Sequence, residues 1–326
     1  MRKLLVTITI TFLMALPLYG IQEVSIPSGS TGKSIVSKLK NEGIINYETP
    51  FYIYLKLSGQ VNKLRAGTFL LDPSYSYRKL ASILQEKEGA ASLTKVTIPE
   101  GYSIIEIANE LGKHNVIKDN TEFIFYVEKK AKNDFADDFP FLHEFNEETL
   151  EGYLFPNTYI FAKGSSFKSI VRTFLNEFQR TILPIYENHF ESKLTLHQTI
   201  TLASIIERES QVKSEMTLIS GVFHNRLKKG IPLAACPTVG YAIGNPRKKI
   251  ITFKDLKNPS PYNTYKYKGL PPTAIASPGK LAIIASLNPD TTNLLYFVAN
   301  GDGSHTFSKT YKEHLRHQRR ILSKKN

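Results

Sequence analysis

An internal repeat constrains the fold of this chain more than any other feature of its sequence. The segment Val24–Gly29 (VSIPSG) returns 72 residues later as Val96–Gly101 (VTIPEG). Each copy predicts a short strand, a turn at proline and glycine, and an amphipathic helix. The residues Thr31 and Ser103 are predicted to cap the two helices. Beyond the hexapeptide, apolar residues keep the same offset: Ile35 with Ile107, Leu39 with Leu111, Ile44 with Val116 and Ile45 with Ile117.

Units of this size with the order strand–helix–helix–strand resemble the LysM modules that bind polymers of N-acetylglucosamine. A strand at Ala66–Leu71 would complete the first unit, and Ser76 would cap the helix after it. A generic α/β spacer is the alternative, because sugar binding needs exposed aromatic rings and the chain has no tryptophan. The candidate rings belong to tyrosines, among them Tyr52, Tyr54, Tyr75 and Tyr77. We predict a LysM-like module over residues 21–92 and a second LysM-like repeat from residue 93.

The chain carries a large excess of positive charge. Its 326 residues include 42 Lys and Arg against 29 Asp and Glu, for a formal net charge of +13. Such an excess favours polyanionic partners: nucleic acid, anionic lipid or an acidic cell-wall polymer. The basic residues are spread along the chain and no nucleic-acid-binding motif is present, so we expect no nucleic acid partner. A single cysteine excludes an intrachain disulfide, and the histidines lack metal-ligand spacing, so we expect neither metal nor cofactor.

The N-terminus has the pattern of a segment that directs export. Two positive residues, Arg2 and Lys3, precede a largely apolar run from Leu4 to Tyr19. Charge in this position places the N-terminus in the cytoplasm. The run is short for a membrane span, so a cleaved signal peptide is the alternative to a retained anchor. We predict a single-pass anchor over residues 1–20.

The stretch Thr195–Ser210 (TLHQTITLASIIERES) predicts a helix that ends in glutamates. Thr195 and Gln198 have the spacing of an N-terminal capping box. One face of this helix would carry Leu196, Ile200, Ala203 and Glu207. Burial at the end of that apolar face would raise the pKa of the Glu207 carboxyl and allow it to donate a proton. A solvated glutamate at a helix end is the alternative.

Glu209 is the nearest rival of Glu207 for this role. It lies about 200° from Glu207 around the helix, since each residue turns the chain by about 100°. It would then face the side of Leu202 and Ile205, or pair with Arg208 or Lys213. The sequence therefore favours Glu207 as the proton donor.

A series of motifs surrounds this helix. In chain order they are EGYLFPNTY (151–159), LASIIE (202–207), GVFHNRL (221–227), LAACPTV (233–239), SPYNTY (260–265), GLPP (269–272) and LYFVANGDGSHTFS (295–308). Together they resemble the endolytic murein transglycosylase (YceG-like) family of bacterial membrane-anchored lytic transglycosylases. The resemblance extends from the N-terminal segment to about residue 314, so it covers nearly the whole chain.

This resemblance implies an α+β protein whose catalytic domain lies within residues 93–326 and cleaves peptidoglycan within its glycan strands. By the resemblance, Glu207 corresponds to the catalytic glutamate. It would protonate the oxygen between N-acetylmuramic acid and N-acetylglucosamine, and the 6-hydroxyl of the muramoyl unit would attack to leave a 1,6-anhydro end. The resemblance also implies a retained anchor in the cytoplasmic membrane, a catalytic domain on its outer side, and peptidoglycan synthases as partners.

Six further residues are candidate substrate contacts. An amide can both donate to and accept from a sugar, which makes Asn263 the preferred one. The alternatives are structural: capping and pairing within a helix for Asn225 and Arg226, hydrogen bonding of a turn for Glu151, and a structural hydrogen bond for His305. The candidate contacts are Asn263, Tyr262, Asn225, Arg226, Glu151 and His305.

One motif departs from the family pattern. Where the family reads L-Q-S-D-P-T-V, this chain has Ala234, Ala235 and Cys236 in the three polar positions. We interpret Cys236 as a small buried apolar residue, because no Cys-His pairing can be argued from the sequence. The loss leaves two alternatives open: a wall-binding scaffold without activity, and a hydrolytic muramidase that uses Glu207 with Glu151 as a second carboxylate.

Overall fold

The computed structural model describes residues 22–73, 75–85, 93–189 and 193–323. The chain forms two compact units that divide between residues 90 and 91. The predicted anchor, residues 1–20, lies outside the described residues. Within the described ranges, no helix is both long enough and apolar enough to cross a bilayer.

The first unit runs strand, helix, helix, strand, helix. Its two strands pair antiparallel with Val24 opposite Phe69. The predicted caps are confirmed, since the hydroxyl of Thr31 accepts from the N–H of Ser34 and that of Ser76 from the N–H of Lys79. The apolar faces enclose a core of their own that includes Leu39 and Leu55. The elements are β1 (Gln22–Ile26), α1 (Gly32–Asn41), α2 (Glu48–Leu57), β2 (Gly67–Leu71) and α3 (Tyr77–Ile83), with a 3₁₀ turn at Val61–Lys63.

The second unit begins with the same order of elements. Helices α4 and α5 each start 72 residues after α1 and α2, as the repeat predicts. Where the first copy has residues 58–66 between its second helix and second strand, this copy has the longer segment 130–157. The strand–helix–helix–strand order is thus confirmed in both copies, while likeness to LysM modules stays a prediction. The elements are β3 (Leu93–Thr97), α4 (Ile104–Lys113), α5 (Asn120–Lys129), α6 (Ala131–Phe135), β4 (Thr158–Ala162) and α7 (Phe167–Glu187), with a 3₁₀ helix at Pro140–Glu144.

The rest of the second unit is mainly helical. Helix α8 is central, and it packs against α9, α10 and α11. A hairpin of two strands, with Phe297 opposite Phe307, and a last helix complete the unit. Helices with small antiparallel sheets confirm the predicted α+β class. The elements are α8 (Leu196–Glu209), α9 (Met216–Lys229), α10 (Cys236–Ala242), α11 (Lys280–Leu287), β5 (Tyr296–Ala299), β6 (His305–Ser308) and α12 (Tyr311–Ser323), with 3₁₀ turns at Lys213–Glu215 and Asp255–Lys257.

Candidate active site

Helix α8 carries two glutamates at its C-terminal end. The predicted capping box at its start is confirmed: the N–H of Gln198 donates to the hydroxyl of Thr195, and the N–H of Thr195 donates to the side chain of Gln198. Every residue from 199 to 206 is buried, so the helix has no solvent face between its first turn, where Gln198 is exposed, and its last. Glu207 and Glu209 both become partly accessible there, on opposite sides of the helix.

Glu207 lies against the segment that leads into α11. Its Oε2 accepts a hydrogen bond from the N–H of Gly279 at 3.0 Å. Glu100 contacts the same glycine, since a Cβ built on Gly279 would overlap with Oε1 of Glu100. Burial raises the pKa of Glu207 and the charge of Glu100 raises it further, while the N–H of Gly279 opposes both. Glu207 therefore belongs to a carboxyl pair around Gly279.

Glu209 faces a cavity of about 440 Å³. Burial raises the pKa of this carboxyl to about 7, although the N–H of Cys236 and the charges of Arg226 and Arg208 oppose the shift. A carboxyl with this pKa is protonated in a large fraction of molecules at neutral pH and suits general acid catalysis. The other lining residues are Arg208, Gln211, Cys236, Pro237, Gly240, Pro246, Arg247, Lys248, Lys249, Ile251, Ala299, Gly301, Gly303 and His305.

The arginine next to Glu209 ties the cavity to the turn of the second repeat. Nη1 of Arg208 donates to the carbonyl of Gly101 at 3.0 Å and lies 3.7 Å from Oε2 of Glu106. Arg247 pairs with the same Glu106 and also donates to the carbonyl of Gly101. The wall beside Glu209 is thus strongly cationic, and bonds to fixed backbone carbonyls hold it in place.

Of the predicted substrate contacts, His305 lines the cavity. Its Nδ1 lies 2.7 Å from Oε2 of Glu215, and its backbone N–H donates to Oε1 of the same carboxylate. The structure therefore brings His305 and Glu209 to one cavity. The bond to Glu215 orients the imidazole ring.

Asn263 and Tyr262 have their polar atoms occupied within their own region. The fully buried amide of Asn263 donates to the carbonyls of Leu256 and Asn258 and accepts from the N–H of Tyr265. The hydroxyl of Tyr262 lies 2.7 Å from that of Thr273. Both side chains shape the loop that precedes α11, and neither lines the cavity of Glu209.

Asn225 and Arg226 bind backbone carbonyls of other segments. The amide of Asn225 donates to the carbonyls of Thr292 and Leu294. Arg226 donates to the carbonyls of Leu295 and Leu233 and lies close enough to Glu209 to lower its pKa. These contacts fasten α9 to the chain around it, and Arg226 also contributes a positive charge to the site.

Glu151 is buried against the start of α4 and the side chain of Tyr241. Its carboxyl accepts from the backbone N–H of Ile104 at 3.1 Å and from the hydroxyl of Tyr241 at 3.2 Å. Burial raises its pKa to about 8, against these two hydrogen bonds. With only 1% of the residue accessible, this arrangement favours the structural alternative for Glu151.

The interpretation of Cys236 as a buried apolar residue is wrong. The residue is exposed and lines the cavity, and its Sγ lies 3.0 Å from the hydroxyl oxygen of Tyr265. As the first residue of α10, it also directs a backbone N–H towards Glu209. The departure from the family motif therefore lies on the wall of the cavity itself.

Glu209 is the functional candidate that sequence reasoning ranked second. That ranking rested on the apolar positions that precede Glu207 and on the family resemblance of the LASIIE segment, and it stays a prediction. Of the two basic partners considered for Glu209, Arg208 lies close enough for its charge to lower the pKa of the carboxyl, whereas Lys213 pairs with Glu100 at 3.2 Å. Among the described residues, no group of His, Cys, Asp and Glu is arranged to hold a metal ion.

A carboxyl with a raised pKa, at a helix end that borders a cationic cavity, is typical of an enzyme that breaks a bond by acid–base catalysis. The chain belongs to the YceG-like family, whose model matches residues 24–320. The family predicted from the motifs is thereby confirmed.

Relatives of known name or structure agree with this membership. A protein of Bacillus subtilis strain 168 named endolytic murein transglycosylase is 34% identical over 314 residues, which covers 93% of this chain and 85% of that protein. A protein of the same name from Streptococcus pneumoniae strain D39 is 29% identical, over 90% of this chain and 57% of that one. The crystal structure of a yceG-like protein from Listeria monocytogenes has a TM-score of 0.63 and 33% identity, and covers 91% of this chain and 98% of that one.

Proposed function

We propose that this protein is an endolytic transglycosylase of peptidoglycan. It cleaves the bond between N-acetylmuramic acid and N-acetylglucosamine within glycan strands and leaves 1,6-anhydro ends. The names of its relatives support the reaction class. The observation that carries the assignment of the acid is the position of Glu209 at the end of α8, where it lines a cavity beside Arg208 and His305. Burial raises the pKa of its carboxyl, which supports the same role.

Glu209 is the better placed of the two glutamates for the proton transfer. It borders the cavity, whereas Glu207 is not among the residues that line it and instead accepts the N–H of Gly279. The assignment of Glu207, made from the sequence, stays a competing prediction. The two assignments can be distinguished by mutation, because replacing the acid with glutamine should abolish bond cleavage and replacing the other glutamate should not.

The mechanism needs one carboxyl that acts twice. Protonated Glu209 donates to the glycosidic oxygen, which departs with the bonding electrons as the bond to the anomeric carbon breaks. The carboxylate that remains then accepts the proton of the 6-hydroxyl as its oxygen bonds to the anomeric carbon. Arg226, Arg208 and the N–H of Cys236 stabilise the carboxylate between the two transfers.

We further propose that the chain acts from the outer side of the cytoplasmic membrane, anchored by residues 1–20, on strands made by peptidoglycan synthases. The charged and apolar pattern of the N-terminus supports this location. An anchored enzyme would reach the glycan nearest the membrane.

The deciding experiment is mass spectrometry of peptidoglycan digested by the wild type, Glu209→Gln and Glu207→Gln. We expect anhydromuramoyl ends from the wild type, a loss of about 10²–10⁴-fold in Glu209→Gln, and retained chemistry in Glu207→Gln. The opposite pattern of losses would restore Glu207 as the acid. Reducing ends would mean hydrolysis, and no product from any variant, with binding intact, would mean a scaffold.

The pH profile provides an independent measurement. A general acid must be protonated, so kcat/KM is expected to fall as pH rises through about 7, where Glu209 loses its proton. A profile that stays flat to about pH 9 would contradict this assignment.

A further inference from the structure

The segment Arg247–Lys257 (RKKIITFKDLK) exposes an unusual combination of side chains. Phe253 is 88% exposed and Ile250 is 75% exposed, more than any other large apolar residue described in the second unit. Single exposed apolar residues are ordinary on a protein surface, but two such side chains within four residues form a patch.

The same segment is basic. Arg247, Lys248, Lys249, Lys254 and Lys257 stand against a single acid, Asp255. Lys248 pairs with Asp255 at 2.6 Å and Arg247 pairs with Glu106, whereas Lys249, Lys254 and Lys257 are exposed to solvent. Positive charge therefore surrounds the apolar patch.

A hydrogen-bonded turn presents the two apolar side chains. Oδ2 of Asp255 accepts from Nζ of Lys248 at 2.6 Å, from the N–H of Thr252 at 2.7 Å and from the hydroxyl of Thr252 at 2.8 Å. These bonds lower the pKa of Asp255 to about 2, so the carboxylate is ionised and can accept all three across the physiological range. The exposure of Phe253 is thus a property of an ordered turn.

We propose that this segment docks on the surface of an anionic lipid bilayer. Phe253 and Ile250 would enter the boundary between headgroups and acyl chains, and the lysines would lie at the level of the lipid phosphates. A protein partner fits less well because lysine is depleted in protein interfaces. A glycan fits less well because Ile250 offers neither an aromatic face nor a hydrogen bond to a sugar.

Docking would determine where the cavity opens. Arg247, Lys248, Lys249 and Ile251 belong to this segment and also line the cavity of Glu209. The bilayer would therefore lie beside the cavity mouth, and strands close to the membrane would be cleaved first. This consequence for cleavage rests on the proposed function, whereas the docking itself does not.

The absence of tryptophan from the chain makes a direct test possible. Phe253→Trp introduces a single indole into the full chain, which is mixed with vesicles of phosphatidylcholine containing phosphatidylglycerol. We expect its emission to shift to the blue and to be quenched by brominated lipid. Leu57→Trp, at an 85% exposed position in the first unit, is the matched control. Its emission should stay that of an indole in water when vesicles are added.

The contribution of the lysines is tested by adding a second substitution to the Phe253→Trp variant. Lys249→Gln and Lys254→Gln should each weaken the lipid-dependent shift about fivefold, since one lysine near an anionic surface contributes about that much. A shift of equal size on pure phosphatidylcholine would overturn the electrostatic part of the proposal.

Three results would overturn docking as a whole. The first is an unchanged emission from Phe253→Trp while sedimentation shows the chain bound to vesicles. The second is a shift on purified glycan strands without lipid, and the third is a lipid-free shift that grows with protein concentration. Anhydromuramoyl product from the same variant is measured separately, so failure of docking and failure of the proposed function remain distinguishable.

Discussion

The two copies of the strand–helix–helix–strand unit share a plan but differ in what their first turn contacts. Gly29 and Gly101 occupy equivalent positions with φ of +82° and +77°. A Cβ at Gly29 would meet nothing within 4 Å, whereas at Gly101 it would lie 3.5 Å from both Cγ of Glu207 and Cδ of Arg208. The turn of the first copy thus has room for a side chain, whereas the turn of the second copy packs against the end of α8.

A second difference between the copies lies in the acidic residues that surround the first turn of the later copy. Its longer segment 130–157 carries Glu151, whose carboxyl accepts the N–H of Ile104 at the start of α4. Glu100 stands where the first copy has Ser28 and contacts Gly279 beside Glu207. A repeated sequence thus predicts the shared fold of both copies, while the inserted segment and single substitutions decide which copy contributes to a site.

The largest effect is expected from replacing Glu151, the buried acid that the longer segment 130–157 carries. Glu151→Ala leaves the N–H of Ile104 and the hydroxyl of Tyr241 without their buried partner. We expect a loss of about 3 kcal/mol in the free energy of unfolding. Urea denaturation of the full chain measures it, with Glu151→Gln as the control that keeps an acceptor. A loss below about 1 kcal/mol would contradict the structural role.

The turns themselves offer a matched pair, Gly101→Val and Gly29→Val. Both variants place a branched side chain at positive φ, so each should lose about 1–2 kcal/mol of stability. We expect only Gly101→Val to lower transglycosylase activity, by more than about tenfold, because the added methyl groups would push against Arg208, which lines the cavity of Glu209. Equal losses of activity in the two variants would show that the turns do not differ in function.

The buried carboxyl also predicts a pH dependence of stability. The pKa of Glu151 rises from an ordinary value of 4.5 to about 8 in the folded protein. Its contribution is therefore fully present below pH 4.5 and is lost as pH rises through about 8. We expect the Tm of the wild type to fall over this range and that of Glu151→Gln to fall less. Glu209 shifts in the same direction, so a residual slope should persist in the variant.

The smallest effect is expected from exchanging the residues that distinguish the two turns. Glu100→Ser removes an ion pair with Lys213 that is substantially exposed, so the free energy of unfolding should change by less than about 1 kcal/mol. Activity should fall by less than about tenfold, while Ser28→Glu should leave it unchanged. An activity loss in Ser28→Glu, measured on the same substrate, would contradict the prediction that the turn of the first copy has no part in catalysis.

Local features of the fold could be predicted because short stretches determine them. The caps at Thr31, Ser76 and Thr195 and the offset of α4 from α1 follow from side chains within a few residues of each helix start. Asn263 was predicted to contact substrate because an amide suits a sugar, and Glu151 was predicted either to contact substrate or to hydrogen-bond a turn. That chemistry equally suits buried backbone groups, and the partners they bind lie on segments whose approach no local pattern reveals.

By itself, the sequence determined the family, the repeat, the mixed class and the presence of two glutamates at the end of α8. Only the tertiary structure decided that Glu209 faces the cavity while Glu207 faces Gly279. The physical reason is that residues 199–206 of α8 are buried on all sides, which removes the contrast between a buried and an exposed face there. The cavity wall comes instead from Cys236, Arg247 and His305, brought together from distant parts of the second unit.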